Sequence, residues 1–233
     1  MKKLEELNWF EQCVVKLEVA QEMIEILEAK EVFSVHDQVK INMILGLLKS
    51  PMEYSIGAIQ SKYGKEKERS YVPIKRNGQS NEDFKKYFKS KLGTDSDEVL
   101  KLLLSVQETE GVHWHRQLHE MNNNEKHSSI TLHTKMITEH IDRIVLPGNN
   151  VLIDSSFSYK EGSNSKFLVV DGKEVDLTNT KGFTRSTSLV FDNNGEDVFE
   201  FLKLSFDGVN KFIIDTYVLL EGKEPEFDIY DDF

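Results

Sequence analysis

Residues 118–136 read LHEMNNNEKHSSITLHTKM, and the period of the chain changes inside them. Up to about Lys126 the stretch reads as a helix that begins near Val112, whereas Ile130, Leu132, Thr134 and Met136 alternate as on a strand with one covered face. The asparagine-rich end, Asn123 to His127, suits a helix C-terminus, where Lys126 and His127 can satisfy the last carbonyls.

Upstream everything reads as helix. Leu4, Leu7, Phe10, Val14, Leu17, Met23, Ile24 and Leu27 predict one long amphipathic helix over residues 4–30. A second begins on the cap Ser34 and runs through Val39, Ile41, Ile44, Leu47 and Leu48 to Pro51. It kinks or restarts there and continues through Tyr54, Ile56 and Ile59. Residues 63–71 dissolve into a loop. Ser80 or Asn81 caps a short helix with Phe84, Tyr87, Phe88 and Leu92, stopped by Gly93, and Asp95 and Ser96 open another from Val99 to Val106.

Downstream, Val151 and Ile153 alternate, and residues 166–177 form two strands around Asp171-Gly172, a two-residue turn. Ser186 to Phe191 is another strand, Asn193-Asn194-Gly195 a turn, and Val198 to Tyr217 a final helix. The expectation is an α+β protein: a helical bundle over residues 1–127, a small antiparallel sheet of about four strands over 128–192, a C-terminal helix over 193–220 that packs back on the bundle, and an acidic tail over 221–233.

Composition bounds the function. With 233 residues and 39% hydrophobic side chains the chain can bury a core as one domain, or one with a large insertion, which excludes a disordered chain. The single cysteine, Cys13, excludes an internal disulfide framework and reads as a core residue on the first helix. Neither a secretory leader nor a run of about 18 apolar residues is visible, so no membrane is expected and the cytoplasm is the expected compartment. No GxSxG, GxGxxG or phosphate-binding P-loop occurs, and no cofactor is expected.

The formal charge is −11, yet residues 62–91 carry ten basic and four acidic side chains. Lys75, Arg76, Lys85, Lys86 and Lys89, interleaved with Tyr63, Tyr71, Phe84, Tyr87 and Phe88, are candidate contacts to a nucleic-acid backbone, with aromatic faces to stack bases. The alternative is a solvated lysine face whose aromatics point inward. The acidic tail carries Phe227, Tyr230 and Phe233 at three-residue intervals and can dock on the basic segment. Six of seven histidines fall within residues 113–140. His115 and His119, four apart on a helix, are candidate metal ligands that lack an evident third partner.

Several ordered stretches carry a resemblance: residues 48–54 (LKSPMEY), 71–74 (YVPI), 104–107 (LSVQ), 123–127 (NNEKH) and 188–213. Together they resemble a group of uncharacterised bacterial proteins with an Asn-x-x-Lys-His signature, over about residues 40 to 216. That group in turn resembles HEPN domains, helical nucleotide-binding domains, many of which are metal-independent ribonucleases acting as dimers, and for this chain the resemblance implies a role in bacterial stress or anti-phage defence. The HEPN motif, Arg, four to six residues, then His, falls here on Lys49 and Tyr54. Lysine lacks the guanidinium fork, and tyrosine, with a pKa near 10, is a poor base at neutral pH.

The resemblance implies a HEPN-like bundle, a homodimer, and a catalytically degenerate module for RNA or a nucleotide. Its candidate ligand-binding residues are Lys49, Tyr54, Arg116, His119, Asn123, Lys126 and His127. The competing expectations are a non-enzymatic protein-interaction or regulatory protein with an acidic, polyanion-like surface, and a metal-dependent hydrolase built on His115 and His119.

Overall fold

The computed structural model describes residues 3–64, 70–107, 113–127, 132–145, 151–161, 168–170, 173–175, 180 and 182–225. A 3-10 turn at Leu4–Glu6 precedes α1, Trp9–Glu28, so the helix expected over residues 4–30 is broken near its start. Asn8 causes the break. Its side chain accepts from the Phe10 and Glu11 amides, and Glu11 returns its carboxylate to the Asn8 amide at 2.9 Å. That reciprocal cap requires extended backbone at residue 8.

Ser34 and Asp37 cap α2, Val35–Lys62, in the same way. This helix runs through Pro51, so the restart expected there does not occur. Proline withholds the amide that would bond to Leu47, and the Ser50 hydroxyl reaches that carbonyl instead at 3.5 Å. α1 buries Phe10, Cys13, Leu17, Ala20, Ile24 and Leu27 at alternating steps of three and four residues. α2 answers with Ile41, Leu45, Leu48, Met52, Ile56 and Ile59, and the two pack as a hairpin.

α3, Asn81–Leu92, starts on Ser80 and ends at Gly93, whose φ of 80° suits only a residue without a Cβ. α4, Asp97–Leu104, starts on Ser96, and α5, Trp114–His127, packs on α2. α6 spans Val198–Glu221. A Cβ on its Gly208 would run into the Trp114 indole, so that glycine lets α6 close on α5. The far end of α6 is tied to α2: Lys62 Nζ donates to the carbonyls of Leu219 at 3.1 Å and Leu220 at 2.7 Å.

The chain divides into two compact units, one of helices (Met1–Thr131 and Phe201–Phe233) and one of strands (Leu132–Glu200). The second contains β1 (His133–Val145), β2 (Val151–Lys160), β3 (Leu168–Val170), β4 (Lys173–Val175) and β5 (Thr184–Phe191). Among the described residues the sheet of about four strands is corrected to a three-stranded antiparallel sheet ordered β2-β1-β5 and a separate antiparallel pair, β3-β4. The turn expected at Asp171-Gly172 lies outside the described residues. One sheet face buries Ile137, Ile141, Leu189 and Phe191. The other aligns Ser156, His140 and Thr184 in one row and Ser158, Thr138 and Ser186 in the next. Among the described residues no helix is long and apolar enough to cross a membrane. The acidic segment beyond residue 225 lies outside the described residues.

Candidate functional site

α2 and α5 bring together residues 74 positions apart. Lys49 Nζ donates to Asn123 Oδ1 at 2.8 Å, which turns the Asn123 amide nitrogen toward His119 Nε2, also at 2.8 Å. An amide N–H donates, so Nε2 accepts and a neutral His119 ring carries its proton on Nδ1. One turn along α2, Glu53 Oε1 lies 3.9 Å from the ammonium. Lys49 is only 8% exposed, so its charge is held in place by these partners rather than by bulk water.

His115 lies beside this chain and is buried. Burial first, then the neighbouring His119 and Lys49, push its pKa down to about 4, so it is neutral at physiological pH. Lys49, Met52, Glu53, Tyr71, Val72, His115, Leu118 and His119 line a crevice of about 10 Å³, room for one water at most. The arrangement offers a fixed cation at the mouth of a closed crevice. The His119 lone pair that could take a proton is engaged by Asn123, which makes His119 a poor base in this arrangement.

The other nominated residues separate from this cluster or support it indirectly. Tyr54 leaves the Lys49 side of α2 and lines a different, roomy cavity, so these two candidate ligand-binding residues stand in two places. A step of five residues turns a helix by about 140°. Arg116 Nη2 donates to the Lys75 carbonyl at 3.3 Å, and Gln107 binds the Lys75 amide at 2.8 Å and the Pro73 carbonyl at 3.0 Å. Both hold the extended segment that carries Tyr71 and Val72 into the crevice wall. Lys126 and His127 close α5, and their side chains lie outside the described residues. Positions 119, 123, 126 and 127 recur at the spacing of one helix face.

The basic segment meets its own acids. Lys85 pairs with Asp97 at 2.6 Å, Lys89 with Asp95 at 2.7 Å and Lys86 with Asp83 at 3.5 Å. Residues 80–98 carry four lysines against five acids, Glu82, Asp83, Asp95, Asp97 and Glu98. Phe84 and Phe88 are fully buried and cannot stack on bases, and the Tyr71 and Tyr87 hydroxyls lie 3.4 Å apart. Lys75 Nζ donates to Asn81 at 2.8 Å, and the Arg76 amide bonds to Gln79 at 3.0 Å. Of the two readings of this segment, the buried Phe84 and Phe88 and the paired lysines fit the solvated lysine face with inward aromatics, not aromatics free to stack bases.

His115 and His119 lie on α5, while His133 and His140 belong to the strand unit. Among the described residues no three His, Cys, Asp or Glu side chains are placed to hold a metal ion. Burial raises the Cys13 thiol to about 12, and it sits 3.5 Å from the Pro51 carbonyl, which suits packing and not nucleophilic attack.

Sequence reading missed Glu53, although its i,i+4 spacing from Lys49 was available as a signal. It also missed a cluster in the strand unit. His140 Nδ1 meets the Ser156 hydroxyl at 3.0 Å, and Nε2 lies 3.5 Å from Asp142 and 3.6 Å from Asp154. Asp154 has a φ of 47°, unusual for any residue but glycine. Matching against protein-family models, curated proteins and solved structures finds no counterpart to the chain in any of the three.

Proposed function

We propose that the protein is a HEPN-like module that binds RNA or a nucleotide through a phosphate held at Lys49, without turning it over. The observation that carries this is the hydrogen-bonded chain from Lys49 through Asn123 to His119. It supplies a preorganised cation, and phosphate recognition needs one more than it needs a deep pocket. A one-water crevice leaves the phosphate at its mouth and the rest of the ligand outside. The same chain argues against cleavage: the His119 lone pair is occupied, and lysine stands where the family motif has arginine.

Fluorescence anisotropy of an end-labelled single-stranded RNA, with AMP as competitor, tests this reading. Lys49→Ala should weaken binding about tenfold, the scale of one charged hydrogen bond. The RNA should stay intact over hours in the presence of chelator. Binding that ignores Lys49→Ala would overturn the reading.

A second reading, a regulatory protein that binds another protein, is favoured by one observation. The lysines of α3 are matched by aspartates, which leaves the overall charge of −11 without a basic counter-surface there. Capture of a basic partner that persists after nuclease treatment and is lost on removal of residues 221–233 would support this reading over the first.

A further inference from the structure

A cavity of about 870 Å³ lies in the helical unit where the start of α1, the second half of α2 and the end of α6 meet. Its volume is that of a small-molecule site. Gly57, Ala58 and Ser61 of α2 form a floor of small side chains, Trp9 and Tyr54 supply aromatic walls, and Gln12 and Ser70 add neutral polar groups. Glu53 stands at one margin and Glu221 at another.

We infer that this cavity binds an organic cation, an ammonium or guanidinium group, against Trp9 and Tyr54. Three independent features point the same way. The aromatic faces carry the negative lobe of the ring quadrupole. One of them already holds a cation of the protein itself, since Lys16 Nζ lies 5.2 Å from the centre of the Tyr54 ring. Second, α2 and α6 both end here, so the negative ends of two helix dipoles border the cavity, that of α6 partly offset by the Lys62 ammonium on its last carbonyls. Lys62 also lines the cavity, and its ammonium is held at the end of α6 by the Leu219 and Leu220 carbonyls, so a ligand cation binds on the Trp9 and Tyr54 side away from it. Third, Glu53 and Glu221 both line the cavity and bring acidic side chains to it, Glu53 also lying 3.9 Å from the Lys49 ammonium.

The site is separate from the Lys49 chain in residues and in charge, although Glu53 borders both, so either assignment can fail alone. The ligand enters by displacing the Lys16 ammonium or by sitting on the Trp9 side of it. Choline presents a quaternary head with no hydrogen-bond donors on the charge, and arginine methyl ester presents a guanidinium that can also reach Glu53 or Glu221. Comparing them distinguishes a pure cation–π seat from one completed by carboxylates.

The test titrates the full chain with choline, arginine methyl ester, and 3,3-dimethylbutan-1-ol, the uncharged isostere of choline. Trp9 fluorescence is the readout in a Trp114→Phe background. At least one cation should saturate the signal and the isostere should not. Tyr54→Phe should keep the affinity within about threefold, and Tyr54→Leu should lower it tenfold or more. Glu221→Gln should weaken arginine methyl ester more than choline. Lys49→Ala should leave cation binding intact, and Tyr54→Leu should leave RNA binding intact. Equal binding of choline and its isostere, unchanged affinity in Tyr54→Leu, or AMP filling the cavity in place of either cation would overturn the inference.

Discussion

Lys49 and Tyr54 stand five residues apart on one helix, and their surroundings differ in almost every physical respect. At Lys49 the space is filled: the ammonium, an amide and an imidazole satisfy one another around a crevice with room for one water. At Tyr54 the space is open, floored by small side chains, with carboxylates and helix C-termini around an aromatic wall. The difference follows from what each side of α2 meets. On the Lys49 side α5 supplies long polar residues at i and i+4, His119 and Asn123. On the Tyr54 side α1 has only just begun and α6 is ending. A helix flanked by another helix fills its groove, and one flanked by helix ends leaves a cavity.

Acid should break the crevice most strongly. His115 beneath it is neutral in the fold, with a pKa of about 4, against 6.5 in an open chain. The unfolded chain therefore binds a proton that the folded one refuses, so stability should be complete above about pH 6.5 and fall as pH drops toward 4. The loss is on the order of 3 kcal/mol at about 1.4 kcal/mol per unit. Both tryptophans, Trp9 and Trp114, lie in the helical unit, so urea unfolding followed by their fluorescence reports on that unit alone. His115→Phe should flatten the dependence between pH 7 and 4. His133, also held near 4 by burial, should give the strand unit a dependence of the same sign, read from its own transition.

Gly208→Ala comes next. The added methyl meets the Trp114 indole and should cost about 1–3 kcal/mol as the α5–α6 contact opens. It should disturb RNA binding at the Lys49 chain on α5 more than cation binding at Tyr54, and equal loss at both places would show that they are one coupled region. Lys49→Ala should cost about tenfold in RNA affinity with little change in cation binding. The smallest effect is expected on α3. Replacing Lys85, Lys86 and Lys89 by alanine removes exposed ion pairs worth under about 1 kcal/mol each and should move RNA affinity by less than threefold. A steep loss there would return the binding surface to the lysine-rich helix.

The local signals were legible wherever they are written in adjacent residues. Ser34, Ser80 and Gly93 sit at the helix ends where their chemistry places them. A strand does follow α5, but its covered face is corrected: β1 buries His133, Ile137 and Ile141, while Leu132 is exposed, Thr134 and Met136 are only half-buried, and Ile130 lies outside the described residues. Asn8 was overlooked because the apolar spacing runs on through it, although Glu11 three residues later completes the capping box. The candidate site was legible only as separate pieces. Nothing local in residues 49 and 123 says that they meet. The Lys49–Tyr54 pair came from a motif spacing that does not ask whether two positions share a helix face. The basic segment misled for a similar reason: counting stopped at Lys91, four residues short of Asp95, and the fold sets Asp95 and Asp97 against Lys89 and Lys85.

The most direct measurement is RNA anisotropy on three proteins in parallel: the unaltered chain, Lys49→Ala and Tyr54→Leu. If the phosphate is held at the α2–α5 chain, the unaltered protein and Tyr54→Leu bind alike, and Lys49→Ala binds about tenfold more weakly. No binding by the unaltered protein, or a loss confined to Tyr54→Leu, would contradict the account.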